Sequence, residues 1–362
     1  MSEPVTQENP RTIQRAWWLW ACGFSTLCLG AGFAVTAGWT GNKYVRKLAP
    51  NWEYTVGNWW SGMLLLAFAA LLAVRACDPN RPPPSRRALW VLSWLGLGLC
   101  LDELGSLHER ASDLVPLPGQ WSLVPFALLF VLAMGWSLTV LWQADSACRR
   151  FCMGMLIGFA CLGSAEPYDM IEHAIGVPGW YKPVGVVIEE GLELLGGTLL
   201  VAAVLRLHSA SSESLPSRAD PGLVLSRGLP IVGLILLAAV FPLVLVRQLL
   251  LNAEALGLHT RGDFGAAPAV MLFALTGAAF AFQTRRRPDR ITLRPLIPAA
   301  ISVLVSIELG CNLSSWITRE SVGTPLSAWW AQLLAAVTGY VLLRYATRPV
   351  TPATGSFPAG AA

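Results

Sequence analysis

The chain has 362 residues, of which 54% are hydrophobic and only 13% are charged, and its mean hydropathy is +0.53. This composition excludes an ordinary soluble domain and indicates an integral membrane protein. The net charge of +4 is small. Its basic residues follow the pattern of membrane topology, so we expect the lipid bilayer as a partner and no nucleic acid.

A spanning helix needs about 20 mostly apolar residues, and ten stretches of the chain meet this condition. The predicted fold is therefore all-α, a polytopic membrane bundle of about ten transmembrane helices. The first stretch also resembles a signal peptide, but its apolar run is longer than a signal core, which favours an uncleaved anchor. Segments 1 to 10 are residues 16–37, 58–76, 88–109, 121–144, 150–174, 183–206, 228–251, 267–284, 294–315 and 326–345.

One Ser-rich stretch divides the segments into two membrane units. Most of the 26 Lys and Arg residues lie in the two tails and the even-numbered loops, which predicts cytoplasmic termini and a multi-pass protein of the cell membrane. The predicted regions are a cytoplasmic N-tail (1–15), a six-helix unit carrying the acidic and histidine residues (16–207), a cytoplasmic linker (208–227), a four-helix unit (228–345) and a disordered cytoplasmic C-tail (346–362).

The two units share a faint internal likeness. Residues 63–70 resemble residues 271–278, and each stretch is followed by an Arg/Pro-rich turn and then by a span containing Glu-Leu-Gly, at 103–105 and 308–310. This predicts a degenerate parallel repeat that relates segments 2–3 to segments 8–9. The alternative is that Leu/Ala-rich helices resemble one another by chance.

Acidic residues are concentrated where a membrane helix should have few. Nine of the 22 acidic residues and two of the four histidines lie in three short blocks, at 101–110, 166–173 and 189–193. An ionised side chain near the bilayer centre costs at least about 2.5–3.5 kcal/mol. These groups are therefore expected to meet one another, a cation or a water-filled cavity.

Topology and helical phase predict where the three blocks meet. At about 1.5 Å of rise per residue, all three lie in the outer half of the membrane. We therefore expect segments 3, 5 and 6 to pack side by side, and Pro167 to break segment 5 and start a short new helix. The candidate metal ligands are Asp102, His108, Glu109, Glu166, Asp169, His173, Glu189, Glu190 and Glu193, and the candidate catalytic residues are Asp102, Glu103 and Glu193.

Carboxylates beside imidazoles indicate a divalent metal, with zinc, iron or manganese equally compatible. His173 follows Asp169 by four residues, so the two side chains share a helical face. The first hypothesis is a metal-dependent hydrolase or oxidoreductase that acts on a lipid or lipid-linked substrate. The alternatives are a proton- or divalent-cation-coupled transporter or channel, and a non-catalytic membrane assembly subunit. Since no zincin, histidine-box, nucleophile-elbow or Walker motif is present, the sequence leaves enzyme status, reaction, substrate and oligomeric state open.

Overall fold

In the computed structural model, residues 10–46, 48–50, 55–105, 124–176, 178–213, 229, 267–285, 293–311 and 329–347 are described. This part of the chain is all-helical and contains no strand. Each predicted segment except the seventh overlaps one of the helices below, and segment 7 is described only at Leu229. The helices are α1 (Pro10–Thr36), α2 (Lys43–Arg46), α3 (Val56–Ala76), α4 (Pro83–Gly105), α5 (Val124–Trp142), α6 (Ser146–Ile175), α7 (Lys182–Glu213), α8 (Ala267–Arg285), α9 (Leu293–Cys311) and α10 (Trp329–Ala346).

Four stretches among the described residues are long and apolar enough to cross a membrane: Trp18–Thr36, Val56–Ala76, Val124–Trp142 and Ser146–Ala165. Shorter apolar helices occur in α8, α9 and α10. These helices support the membrane assignment that the composition predicts.

α3 is the most buried of the four candidate spans in the described part of the chain. Of its span, 72% is buried, compared with 17% for α5. The side chains of Leu64, Phe68 and Leu72 are fully buried, and α3 packs against both α4 and α7. α5 instead contacts α4 and α6 and exposes a row of Leu, Phe and Val side chains, as a lipid-facing helix does.

The helices α6 and α7 pack closely against each other, and small residues at their crossing allow it. A Cβ atom on Gly196 of α7 would lie 2.8 Å from the carbonyl oxygen of Gly158 on α6. At the same crossing, a Cβ on Gly158 would lie 2.8 Å from Leu200 Cδ2. Small residues let the two backbones approach, which is how membrane helices gain packing energy where lipid tails offer no hydrophobic contrast.

α6 is one continuous helix, and this corrects the expected break. It begins after Asp145, whose carboxylate caps it, contains Pro167 in its interior, and ends at Gly176 in the left-handed conformation with φ of 61°. Membrane helices tolerate an interior proline when neighbouring groups compensate for the lost hydrogen bond. Pro167 leaves the Gly163 carbonyl without its helical N–H donor, and the nearby Ser164 hydroxyl donates to other carbonyl oxygens, those of Ala160 and Cys161, at 2.7 and 2.9 Å. The whole acidic block of segment 5 therefore lies on a single helix.

Candidate functional site

The first half of α7 carries three glutamates, Glu189, Glu190 and Glu193, and all three side chains are half-buried. Their spacing places them within about one helical turn of one another. Glu190 is the central member of the group, because the carboxylates of Glu193, Glu103 and Glu189 all lie close enough to interact with it electrostatically. Glu103 comes from α4, so the structure brings carboxylates of two helices together.

Glu103 lies in the last turn of α4 and is held from α3. The side-chain amide of Asn58 donates to the backbone oxygen of Glu103 at 3.0 Å and to its Oε1 atom at 3.2 Å. Asn58 is itself anchored, since its backbone N–H donates to Thr55 Oγ1, the N-cap of α3, at 3.3 Å. Asn58 was not among the predicted site residues. The sequence offered one signal for Asn58, since it is a single amide side chain at the start of the apolar predicted segment 2.

The contacts between α3 and α4 near Glu103 are close. A Cβ on Gly62 would lie 2.8 Å from Cγ of Leu104, the residue after Glu103. One turn below, the Cys100 thiol donates to the Gly62 carbonyl oxygen at 3.1 Å. This packing sets the end of α4, and with it the Glu103 carboxylate, relative to α3. We name Asn58, Glu103, Glu189, Glu190 and Glu193 the carboxylate cluster.

The C-terminal end of α6 borders the start of α7. The Glu172 carboxylate lies against Gly185, and the hydroxyl groups of Tyr168 and Tyr181 are 2.7 Å apart. Glu172 and Glu189 both interact electrostatically with Tyr168. Glu172 is thus a further acidic group at this end of the bundle, next to the carboxylate cluster.

The expected side-by-side packing of segments 3, 5 and 6 is only partly found. α6 and α7 are direct neighbours, but α3 packs between α4 and α7 and contacts both. Among the predicted residues, Glu103, Glu189, Glu190 and Glu193 come together, and Asp102 is half-buried in the last turn of α4.

The structure describes the remaining predicted metal ligands only in part or not at all. The backbones of Glu166, Asp169 and His173 lie in α6, but their side chains are outside the described set, and His108 and Glu109 lie outside the described residues altogether. Among the described side chains, no three His, Cys, Asp or Glu groups are arranged to hold a metal ion. The metal ligands therefore remain predictions.

The chemistry of the carboxylate cluster follows from charge. Carboxylates at close range in a low-dielectric setting cannot all stay ionised without compensation, so they share protons or bind a cation. The hydrogen bond from the Asn58 amide fixes the orientation of the Glu103 carboxylate.

No curated protein and no solved structure matches the chain. One family model does match, over residues 21–207, a range that includes the whole carboxylate cluster. Since this match covers more than half of the 362 residues, the chain belongs to the family described as Domain of unknown function (DUF8692).

Proposed function

We propose that this multi-pass membrane protein binds protons in the carboxylate cluster and couples their binding to transport. A divalent cation is the alternative ion, and it would need ligands beyond the described carboxylates, because no three of them are arranged to hold a metal ion. The observation that carries the proposal is the approach of Glu103 on α4 to Glu190 on α7, beside Glu189 and Glu193. Intramembrane carboxylates are costly and are found mainly on ion and proton pathways. Two different helices supply the groups, so relative movement of α4 and α7 would change the affinity of the cluster for its cation.

The proposal includes the finer architecture. We infer ten membrane spans, cytoplasmic termini and a cluster in the outer half of the cell membrane. The family match over residues 21–207 supports the six-helix unit 16–207 as the part that carries the function.

Two hydrogen bonds with corresponding backbone acceptors give partial support to the internal repeat. In the α3–α4 pair, Cys100 Sγ donates to the carbonyl of Gly62, which immediately precedes Met63, at 3.1 Å. In the α8–α9 pair, Ser306 Oγ donates to the carbonyl of Val270, which immediately precedes Met271, at 2.9 Å. Met63 and Met271 begin the two similar stretches, so the two acceptor positions correspond, whereas the donors are one residue out of register: Cys100 precedes Glu103 by three residues and Ser306 precedes Glu308 by two. Duplicated helix pairs are a common way to build transporters.

A second candidate is the metal-dependent enzyme acting on a lipid or lipid-linked substrate. The observation that favours it is the continuity of α6, which keeps Asp169 and His173 one helical turn apart on a helix that packs directly on α7. Carboxylate and imidazole ligands from neighbouring helices are typical of zinc, iron and manganese sites in bundles.

The test combines two measurements on the purified full-length protein. Elemental analysis in detergent reports bound zinc, iron or manganese, and a pH indicator trapped in proteoliposomes reports cation-coupled proton movement. For the transport proposal, we expect a signal that Glu190→Gln abolishes and that Asp145→Asn, a carboxylate removed from the opposite end of the bundle, leaves intact.

The contrary outcomes separate the candidates. Stoichiometric metal without ion movement would replace the transport proposal with the enzyme. If the protein contains no metal and moves no ions, and if Glu190→Gln behaves like the wild type, both candidate functions are contradicted. The cluster would then be a structural network of an assembly subunit.

A further inference from the structure

The first two turns of α3 make side-chain hydrogen bonds to three different helices. Asn58, Trp59 and Trp60 are consecutive, and successive residues of a helix point about 100° apart. Asn58 faces α4, where its amide donates to Glu103. Trp59 and Trp60 each donate from the indole Nε1, to residues of two further helices. The start of α3 is therefore a junction at which the carboxylate cluster meets other parts of the bundle.

Trp59 links this junction to the second helix pair, α8 and α9. Its Nε1 donates to Ser306 Oγ of α9 at 3.2 Å, and Ser306 Oγ donates in turn to the backbone oxygen of Val270 on α8 at 2.9 Å. Ser306 is fully buried, so its hydroxyl is shielded from solvent. Hydrogen bonds in series strengthen one another in such a low-dielectric setting. The indole of Trp59 therefore joins α3 to the α8–α9 pair through one buried hydroxyl.

Helix packing around the junction connects this link to the carboxylate cluster. α9 contacts α3, and α8 contacts both α3 and α4. Trp59 and Asn58 are neighbours on one helix, so a force on the Trp59 indole also acts on the backbone of Asn58. A displacement of α9 would therefore change the distances of 3.0 and 3.2 Å that join Asn58 Nδ2 to the backbone oxygen and Oε1 of Glu103. Glu103 in turn interacts electrostatically with Glu190.

We propose that Trp59 is a positioning residue through which the α8–α9 pair sets the placement of Asn58 against Glu103 and so regulates proton binding by the carboxylate cluster. This inference rests on the function proposed for the cluster. It assigns a role to α8 and α9, which lie beyond residues 21–207, the range that the family model matches.

Trp60 provides a matched comparison on the same turn of α3. Its Nε1 donates to Ser25 Oγ of α1 at 3.1 Å, and its ring packs edge-on against Phe24 with the ring centroids 5.1 Å apart. The indole hydrogen bonds of Trp59 and Trp60 thus have nearly the same length but join α3 to different helices. Trp60→Phe removes a bond to α1 and leaves the link to α9 intact.

The experiment compares the purified full-length wild type with Trp59→Phe, Trp60→Phe, Ser306→Ala and the double variant Trp59→Phe/Ser306→Ala. The main readout is the modification of Glu190 by dicyclohexylcarbodiimide across a range of pH, quantified by peptide mass spectrometry. This reagent modifies carboxylic acids in their protonated form, so it reports proton binding by the cluster whether or not the protein transports. Proton movement into proteoliposomes and the free energy of unfolding in detergent are measured on the same variants.

We expect Trp59→Phe to change the proton affinity of the cluster about threefold, which moves the pH midpoint of Glu190 modification by about 0.5 pH unit. The reason is that hydrogen bonds and nearby charges set the proton affinity of a carboxyl group, and both depend on the placement of Glu103. The pH profile of proton movement should shift by the same amount. Trp60→Phe should leave both midpoints at the wild-type pH.

The Ser306 variants test whether the effect passes through the hydroxyl group. Ser306→Ala should also shift the midpoint, and the addition of Trp59→Phe should shift it no further, because the bond that Trp59 makes is then already absent. Trp59→Phe and Trp60→Phe should lose similar amounts of stability, since each loses one indole hydrogen bond. A midpoint shift in Trp59→Phe alone therefore separates positioning from a general loss of stability.

Equal midpoints of Glu190 modification in Trp59→Phe and Trp60→Phe, or additive shifts in the double variant, would overturn the inference. If Ser306→Ala does not fold, the comparison of the two tryptophan variants decides the outcome. A wild type that moves no protons would contradict the proposed transport, whereas the midpoints of Glu190 modification would still test the link. A Glu190 that is not modified anywhere between about pH 5 and about pH 9 would contradict both proposals.

Discussion

The carboxylate of Glu172 on α6 lies against the backbone of Gly185 on α7, in space that any larger residue at position 185 would need. A Cβ atom on Gly185 would lie 2.8 Å from both Cδ and Oε1 of Glu172. The glycine thus admits an acidic side chain between two helices, next to the start of the carboxylate cluster.

Gly185→Ala should displace the Glu172 carboxylate while leaving the fold intact, because the displaced atoms are the far end of a flexible side chain. The control is Gly191→Ala on the same helix, where the nearest atom to a new Cβ is Leu29 Cδ1 at 3.8 Å. Alanine in a helix interior gains up to about 1 kcal/mol over glycine. We expect chemical unfolding in detergent to show this gain in stability for Gly191→Ala. Gly185→Ala should not show the gain, because its Cβ must displace the Glu172 carboxylate. Equal gains in the two variants would contradict the placement of Glu172.

The crossing of α6 and α7 predicts a stronger effect at Gly196. A Cβ there would lie 2.6 Å from Leu162 Cγ and 2.8 Å from the carbonyl oxygen of Gly158, and a backbone atom cannot move away cheaply. Overpacking of this kind typically costs about 1–3 kcal/mol. Gly163→Ala, where no atom lies within 4 Å of a new Cβ, should be neutral or stabilising. The measurement is again the free energy of unfolding, and a Gly196→Ala protein as stable as Gly163→Ala would disprove the close crossing.

Much of the helical framework could be predicted, because a long apolar run has few alternatives in a membrane. The spans of α3, α5 and α6 follow directly from length and hydropathy. Helical phase had assigned the shared face of α4 to Asp102 rather than Glu103 and put Glu190 only at the edge of its face on α7, yet Glu103 and Glu190 are the pair that interact electrostatically.

Neighbour relations between helices could not be predicted from the same information. Depth and phase are properties of each helix alone, whereas the position of α3 between α4 and α7 depends on how side chains such as Leu64 and Phe68 fill the space around them. Asn58 was missed for this reason, since its role depends on the residue it faces. The break expected at Pro167 was wrong because α6 continues through the proline, which membrane helices can do when they pack against neighbouring helices.

Removal of the Asn58 amide should weaken the hold on Glu103. Asn58→Ala deletes the donor to both the backbone oxygen and Oε1 of Glu103, and loss of a hydrogen bond to a buried or charged acceptor costs about 1–3 kcal/mol. The control is Asn80→Ala, whose exposed side chain lies at the other end of the bundle and should change stability by less than about 0.5 kcal/mol. Equal free energies of unfolding for the two variants would show that the hydrogen bonds of Asn58 do not stabilise the protein.

The last prediction concerns the cap of α6. Asp145 Oδ1 accepts from the Cys148 backbone N–H at 2.7 Å, and Asp145 has the extended backbone of an N-cap residue. Burial opposes ionisation of this carboxyl, but the hydrogen bonds from Cys148 and the charge of Arg81 outweigh it and lower the pKa of Asp145. A carboxyl with a lowered folded-state pKa stabilises the protein fully above its unfolded pKa of about 4, and this contribution is lost as pH falls through the folded pKa.

Asp145→Ala should therefore cost about 1 kcal/mol near neutral pH, whereas Asp145→Asn should cost less because asparagine is an equally good cap. The stability difference between the wild type and Asp145→Asn should shrink as pH falls from about 5 to about 3, since protonation removes the charge that distinguishes them. Thermal unfolding across this pH range measures the difference directly, with Ser146→Ala as a neighbouring control. A difference that grows on acidification would mean that the folded protein holds the Asp145 proton more tightly than the unfolded chain, the reverse of the sign derived from its hydrogen bonds.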